Sequence, residues 1–161
     1  MITTRKLLFG GFLFCFSLFL AALYMQHVME LEPCPLCILQ RVLVMVTGIF
    51  FLIAAIHNPA RTGTKIYAAL IGLTALLGAA VSARHVWLQS LPADQVPSCG
   101  PGMGFIMENF PLTDAFSMVL SGSGECAEVS WTFLTLSIPA WTLLTFVGML
   151  GLAIAAAWRQ H

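Results

Sequence analysis

The sequence predicts an all-α membrane protein: a bundle of four transmembrane helices, with two loops on one side and a short surface-lying helix in the second loop. Two observations predict it. The chain is 59% hydrophobic and only 9% charged, a balance that belongs to membrane proteins rather than soluble domains. Its apolar residues also gather into four runs, about 7–25, 38–56, 66–84 and 133–158, each near the about 20 residues that cross a hydrocarbon core. A soluble fold would need four helices apolar on every face, with no polar face left for water. A single domain, 1–161, accounts for the whole length.

The first run follows Arg5 and Lys6 and carries small residues at Ala21 and Ala22, as a signal peptide would. Its apolar stretch exceeds the about 7–15 residues of such a leader, and three more runs follow, so it is read as a retained helix. The second run is interrupted only by Gln40 and Arg41 near its start, the third ends at Arg84 and His85, and the fourth has Pro139 near its beginning. Between them lie loops of about 26–37 and 86–131.

Charge orients the bundle. Arg5, Lys6, Arg61, Lys65 and Arg159 fall on one side of an even-numbered set of spans, with Arg61 and Lys65 in the short link between spans two and three. The acids Glu30, Glu32, Asp94, Glu108, Asp114, Glu125 and Glu128 all fall on the other side. The positive-inside rule counts Lys and Arg, and it puts both termini in the cytoplasm and both longer loops outside. No basic patch interleaved with aromatics is present, so nucleic acid is not an expected partner; membrane lipid is.

Of the five cysteines, Cys15 sits mid-span and reads as a small buried hydrophobe. Cys34 and Cys37 fall in the first outer loop, Cys99 and Cys126 in the second. An oxidising compartment favours disulfides there. Four cysteines allow three pairings, and one pair per loop, Cys34 with Cys37 and Cys99 with Cys126, is the natural resting choice. Two structural staples are the bland alternative, but a Cys-x-x-Cys pair closes so small a loop that it removes little entropy from the unfolded chain, and such pairs serve redox chemistry more often. A four-cysteine zinc site is weakened by the long gaps and by the lack of a second Cys-x-x-Cys.

Around the first pair the sequence reads Glu32-Pro33-Cys34-Pro35-Leu36-Cys37-Ile38-Leu39-Gln40-Arg41. Prolines suit the turn before a helix and its first turn, and a helix from about Cys34 puts Cys34, Cys37 and Arg41 on one face. A helix N-terminus and a nearby guanidinium both lower a cysteine's pKa and make its disulfide more oxidising. The poise matters: reoxidising a partner near about −120 mV with a structural disulfide near about −300 mV would be uphill by roughly 8 kcal/mol for two electrons. The pair must therefore sit high, and a lipid-soluble quinone is the acceptor available at that depth. Arginine in a span is costly and marks function by default; the alternative for Arg41 is an arginine reaching back to the headgroups. His85 is a candidate donor to a quinone carbonyl, against the plainer reading of an interfacial histidine. Trp87 and Trp131 read as interfacial belt residues.

In the second loop, Leu112, Ala115, Phe116, Val119 and Leu120 fall on one helical face, started after Pro111 and stopped near Gly122 and Gly124. Such a helix lies on the membrane surface or packs on the outer ends of the bundle. Cys99 precedes Gly100-Pro101-Gly102, an approachable setting, and movement of the loop would carry Cys126 toward Cys34.

Taken together, the four spans, the two outer loops, Cys-x-x-Cys-x-x-x-Arg at 34–41, the loop pair 99 and 126, and Glu125-Cys126-Ala127-Glu128 before Trp131 give a chain that resembles the DsbB family, bacterial inner-membrane quinone-dependent thiol oxidases, along essentially its whole length. The resemblance implies that Cys99 takes the attack of a periplasmic DsbA-type thiol oxidase and forms the mixed disulfide. Cys126 is then released to attack Cys34, and Cys37 faces the quinone as a thiolate in a charge-transfer adduct with Arg41 beside it. It also implies that His85 lies near the quinone and that electrons leave to the ubiquinone or menaquinone pool of the inner membrane. No metal is implied. Vitamin K epoxide reductase-like proteins share the parts, but there the loop pair precedes the Cys-x-x-Cys, whereas here Cys34 and Cys37 come first. A non-enzymatic, disulfide-stapled membrane subunit is the remaining alternative.

Overall fold

The computed structural model describes residues 3–92, 94–97, 105 and 108–159. Four long helices dominate: α1 (Thr4–His27), α2 (Pro35–His57), α3 (Arg61–Gln89) and, last in the chain, α6 (Ile138–Trp158). All four are long and apolar enough to cross a membrane, and the protein is a multi-pass membrane bundle. Between α3 and α6 lie α4 (Leu112–Ser121), the short α5 (Gly124–Ala127), and a hairpin of β1 (Thr132–Phe133) and β2 (Leu136–Ser137).

Helices α2 and α3 run longer than the apolar runs that announce them, because helical hydrogen bonding continues through polar ends that hydropathy discounts. Asn58 ends α2 in a left-handed conformation (φ 44°), Pro59 follows, and α3 begins at once at Arg61. Arg61 and Lys65 therefore stand in the first turns of α3 rather than in a loop. The fourth span is shortened instead: residues 133–137 leave it to form the hairpin. Its link, Leu134-Thr135, has both residues at positive φ (49° and 68°), the conformation that a two-residue hairpin of matching twist requires. The Trp141 indole N–H donates to the Phe133 carbonyl (3.0 Å), and Trp131 stacks on Phe133, so the hairpin is fixed over the start of α6.

The main core joins all four long helices: Leu8 of α1 is buried with Phe51 of α2, Ile71 of α3, and Phe146 and Met149 of α6. Cys15 belongs to it, a free thiol 3.9 Å from the Met149 sulfur, as expected of a small hydrophobe. Outward, Leu13, Phe16, Leu20, Ile49, Ile53, Leu73, Leu76, Leu144 and Val147 are exposed. So much contiguous apolar surface is unstable in water and suits lipid. Thr47, buried within a span, finds partners as a medium without water demands: its hydroxyl donates to the Leu43 carbonyl (2.7 Å) and meets the Thr74 hydroxyl (3.0 Å).

Small residues let these helices approach. A Cβ on Gly78 of α3 would lie 2.3 Å from the Phe146 ring of α6, so the ring occupies the space a side chain would need. Gly78→Leu should destabilise the bundle by about 1–3 kcal/mol, the usual cost of overpacking, read as a lower thermal midpoint in detergent. Phe146→Ala in the same chain should recover part of the loss.

Candidate functional site

The site forms at the end of the bundle where α2 begins. Pro35, lacking an N–H, takes the first helical position, where none is needed. Cys34 becomes the N-cap, and its sulfur accepts from the Cys37 backbone N–H (3.4 Å). The cap brings the two sulfurs to 3.1 Å, with Cys34 as the thiol donor to Cys37; Cys34, Cys37 and Cys126 are all free thiols here. From α3, His85 Nε2 lies 3.7 Å from the Cys34 sulfur, and the ring is 2% exposed. Its other nitrogen, Nδ1, meets the Gln40 side-chain amide at 3.2 Å. With that amide NH2 donating, the ring proton sits on Nε2 and faces Cys34.

Cys126 arrives by a different route. Gly122, with φ +80°, turns the chain out of α4 so tightly against Leu88 that a Cβ there would lie 2.4 Å from it, a geometry suited to glycine alone. Helix α5 then packs Cys126, fully buried, into one cluster with Cys34, Leu36 and Leu88, against which Cys37 also rests. The Arg84 guanidinium donates to the Ser121 carbonyl (3.3 Å) and stacks over Trp87, holding the end of α4 to α3. The sequence anticipated a loop movement to carry Cys126 toward Cys34; packing already puts it there. Val119 of α4 is buried, so this end of the helix rests on the bundle.

The electrostatics of Cys34 are set by its neighbours. For Cys34 the strongest influence is the Cys126 thiol, which pulls its pKa down, but the Cys37 thiol and burial outweigh it and push the value up to about 12. Contact with Cys34, then burial, holds the Cys126 thiol far above the usual range as well. The helix N-terminus therefore does not leave Cys34 as a thiolate when the pair is reduced. The thiolate is the nucleophile, so alkylation of Cys34 in the reduced protein should rise about tenfold per pH unit from pH 8 to pH 11. A plateau near pH 9 in a pH-rate series would contradict this.

Arg41, expected beside Cys37, still acts on it electrostatically, but its hydrogen bonds go to α1. Its Nη1 donates to Gln26 Oε1 (2.5 Å) and its Nη2 to the Ala22 carbonyl (3.3 Å), while its Nε is buried without a partner among the described residues. Cys99 lies outside the described residues.

Cys34, Cys37 and His85 line a cavity of about 420 Å³, together with Glu30, Glu32, Glu125, Glu128, Trp131 and Pro139. That volume is in the range of small-molecule sites, about 300–1,000 Å³. Trp131, read from sequence as a belt residue, is thus part of a wall. Gln40 is the residue that sequence reasoning passed over. In the sequence it stands only as an interruption of an apolar run, and an amide within that run three residues after Cys37 is the available signal.

Three thiols and an imidazole gathered at one end of an apolar bundle are a constellation for thiol–disulfide exchange. The family described as disulfide bond formation protein DsbB matches residues 4–156. The chain belongs to this family. It is 52% identical to the disulfide bond formation protein B of Nitrosococcus oceani, over 99% of this chain and 92% of that one. It is 54% identical to that of Hahella chejuensis, over 91% and 89%, and 44% identical to disulfide bond formation protein B 1 of Pseudomonas aeruginosa, over 97% and 96%. As a DsbB-family member it is a disulfide bond formation protein and a thiol oxidoreductase of the membrane. Membership sets aside the vitamin K epoxide reductase-like and stapled-subunit alternatives.

Proposed function

We propose that this chain re-oxidises a periplasmic DsbA-type dithiol protein and passes the electrons to ubiquinone or menaquinone, from a bacterial inner membrane with both termini in the cytoplasm. The observation that carries the reading is the shared buried cluster of Cys126 and Cys34, with the Cys37 sulfur 3.1 Å beyond and lining the cavity. Sulfur atoms so placed form a path from the second loop to the cavity.

In the resting enzyme Cys34–Cys37 and Cys99–Cys126 are disulfides. A partner thiolate attacks Cys99, forming a mixed disulfide and releasing Cys126 as a thiolate. Cys126 attacks Cys34, so the Cys34–Cys126 bond forms and the Cys34–Cys37 bond breaks, leaving Cys37 as the thiolate at the cavity. The partner's second thiol displaces Cys99, which returns to Cys126 and frees Cys34. The Cys34–Cys37 dithiol then gives two electrons and two protons to the quinone. The sum is partner dithiol plus quinone giving partner disulfide plus quinol. With its Nε2–H facing Cys34, His85 is placed to donate a hydrogen bond to that sulfur and to stabilise the thiolate it becomes when Cys99 returns to Cys126. Arg41, whose Nε has no partner among the described residues, is the nearby cationic donor for a quinone oxygen.

The test mixes purified protein in detergent with a reduced DsbA-type protein and a soluble ubiquinone analogue. Quinol should form in step with the loss of two partner thiols each. Thiol loss without quinol, or neither, would refute the proposal.

A further inference from the structure

We propose that the reduced Cys34–Cys37 dithiol and His85 form a binding site for a thiophilic divalent cation of the zinc class, which withholds the dithiol from oxidation while bound. This rests on the proposed cycle only in that the cycle passes through the dithiol; binding itself needs neither quinone nor partner.

The donor set is the first argument. Two sulfurs and a ring nitrogen lie within 4.8 Å of one another, and Cys-Cys-His is a zinc donor set that leaves one position open. Metal–sulfur and metal–nitrogen lengths of about 2.3 and 2.0–2.1 Å put the sulfurs of a tetrahedral site about 3.8 Å apart and sulfur from nitrogen about 3.6 Å. Here Cys34 and Cys37 stand 3.1 Å apart and Cys34 and His85 Nε2 3.7 Å. One small opening of the sulfur pair is the adjustment these two distances require. The backbone already fixes the pair, with Cys34 as the cap of the helix that carries Cys37.

The surroundings supply the rest. A ligating histidine ordinarily gives its other N–H to a fixed acceptor. Gln40, 3% exposed and 3.2 Å from Nδ1, does this once its amide turns to present oxygen. The cavity leaves the fourth position to water, and the carboxylates of Glu30, Glu32, Glu125 and Glu128 that line it raise the local concentration of cations.

Binding releases the two thiol protons and transfers no electrons; the cation's two charges are balanced by two thiolates. The disulfide offers no such ligands, so the cation selects the reduced state. By mass action, a concentration 100 times its dissociation constant lowers the free dithiol about 100-fold.

The experiment uses the full chain in detergent, reduced with a non-thiol reductant, with Zn²⁺ binding measured against a chromophoric chelator. One Zn²⁺ should bind per reduced chain, and the affinity should fall at least about tenfold once Cys34–Cys37 is oxidised. His85→Ala should weaken binding by about tenfold or more, Gln40→Leu by about tenfold, and Cys99→Ser should not change it. Co²⁺ on the unaltered protein gives a readout free of folding effects: tetrahedral thiolate bands should appear on reduction and vanish on oxidation. Equal binding by the oxidised chain, no binding by the reduced chain, or unchanged affinity in His85→Ala would overturn the site. Metal-free protein that turns over but binds no Zn²⁺ defeats this inference alone; protein that binds Zn²⁺ but never oxidises its partner defeats the proposed function alone.

Discussion

Cys37→Ser should bring quinone reduction to background while a partner thiolate can still attack Cys99 once. Cys37 is the sulfur that lines the cavity and stands 3.1 Å from Cys34. A serine oxygen accepts no electrons and closes no disulfide, so Cys34 is left with Cys126 as its partner and the two-electron cycle cannot finish. Quinol absorbance in the presence of reduced partner is the measurement. Turnover near the unaltered rate would remove Cys37 from its role.

The second large effect concerns the division between the pairs. Cys99→Ala should abolish oxidation of the partner, because the sulfur that accepts the mixed disulfide is gone. The Cys34–Cys37 pair keeps its cavity in that variant, so added quinone should still restore its disulfide. Mass spectrometry of alkylated protein counts the thiols before and after quinone. If that reoxidation vanished too, the two pairs would not act in series.

Much of this architecture was legible because membrane spans advertise themselves. Four runs of the right length admit few other folds, and Pro111 and Gly122 mark the ends of α4 where the structure has them. What escaped depends on packing between helices. The run containing Phe133, Leu134 and Leu136 has no Gly or Asn to announce a turn, so a hairpin held by Trp141 and Trp131 read as more span. Arg41 shares a helical face with the cysteines, yet where a long side chain ends is set by its neighbours, and Gln26 and Ala22 belong to α1. The meeting of His85 with Cys34 depends on the register of α3 against α2, which no single-helix pattern encodes; the resemblance, not the periodicity, put His85 near the quinone. Which sulfur of the pair stays protonated is likewise a matter of packing, and at Cys34 the pKa is raised. A helix terminus acts on one sulfur, while burial and the crowding of Cys37 act together and prevail.

Cys126 beside Cys34 is the contact on which the relay depends. The direct test is a chain carrying Cys37→Ser and Cys99→Ser, oxidised mildly as a monomer and mapped by peptide mass spectrometry. A Cys34–Cys126 disulfide should form rapidly and in high yield. Two thiols that stay unlinked, each available to alkylation, would contradict the path.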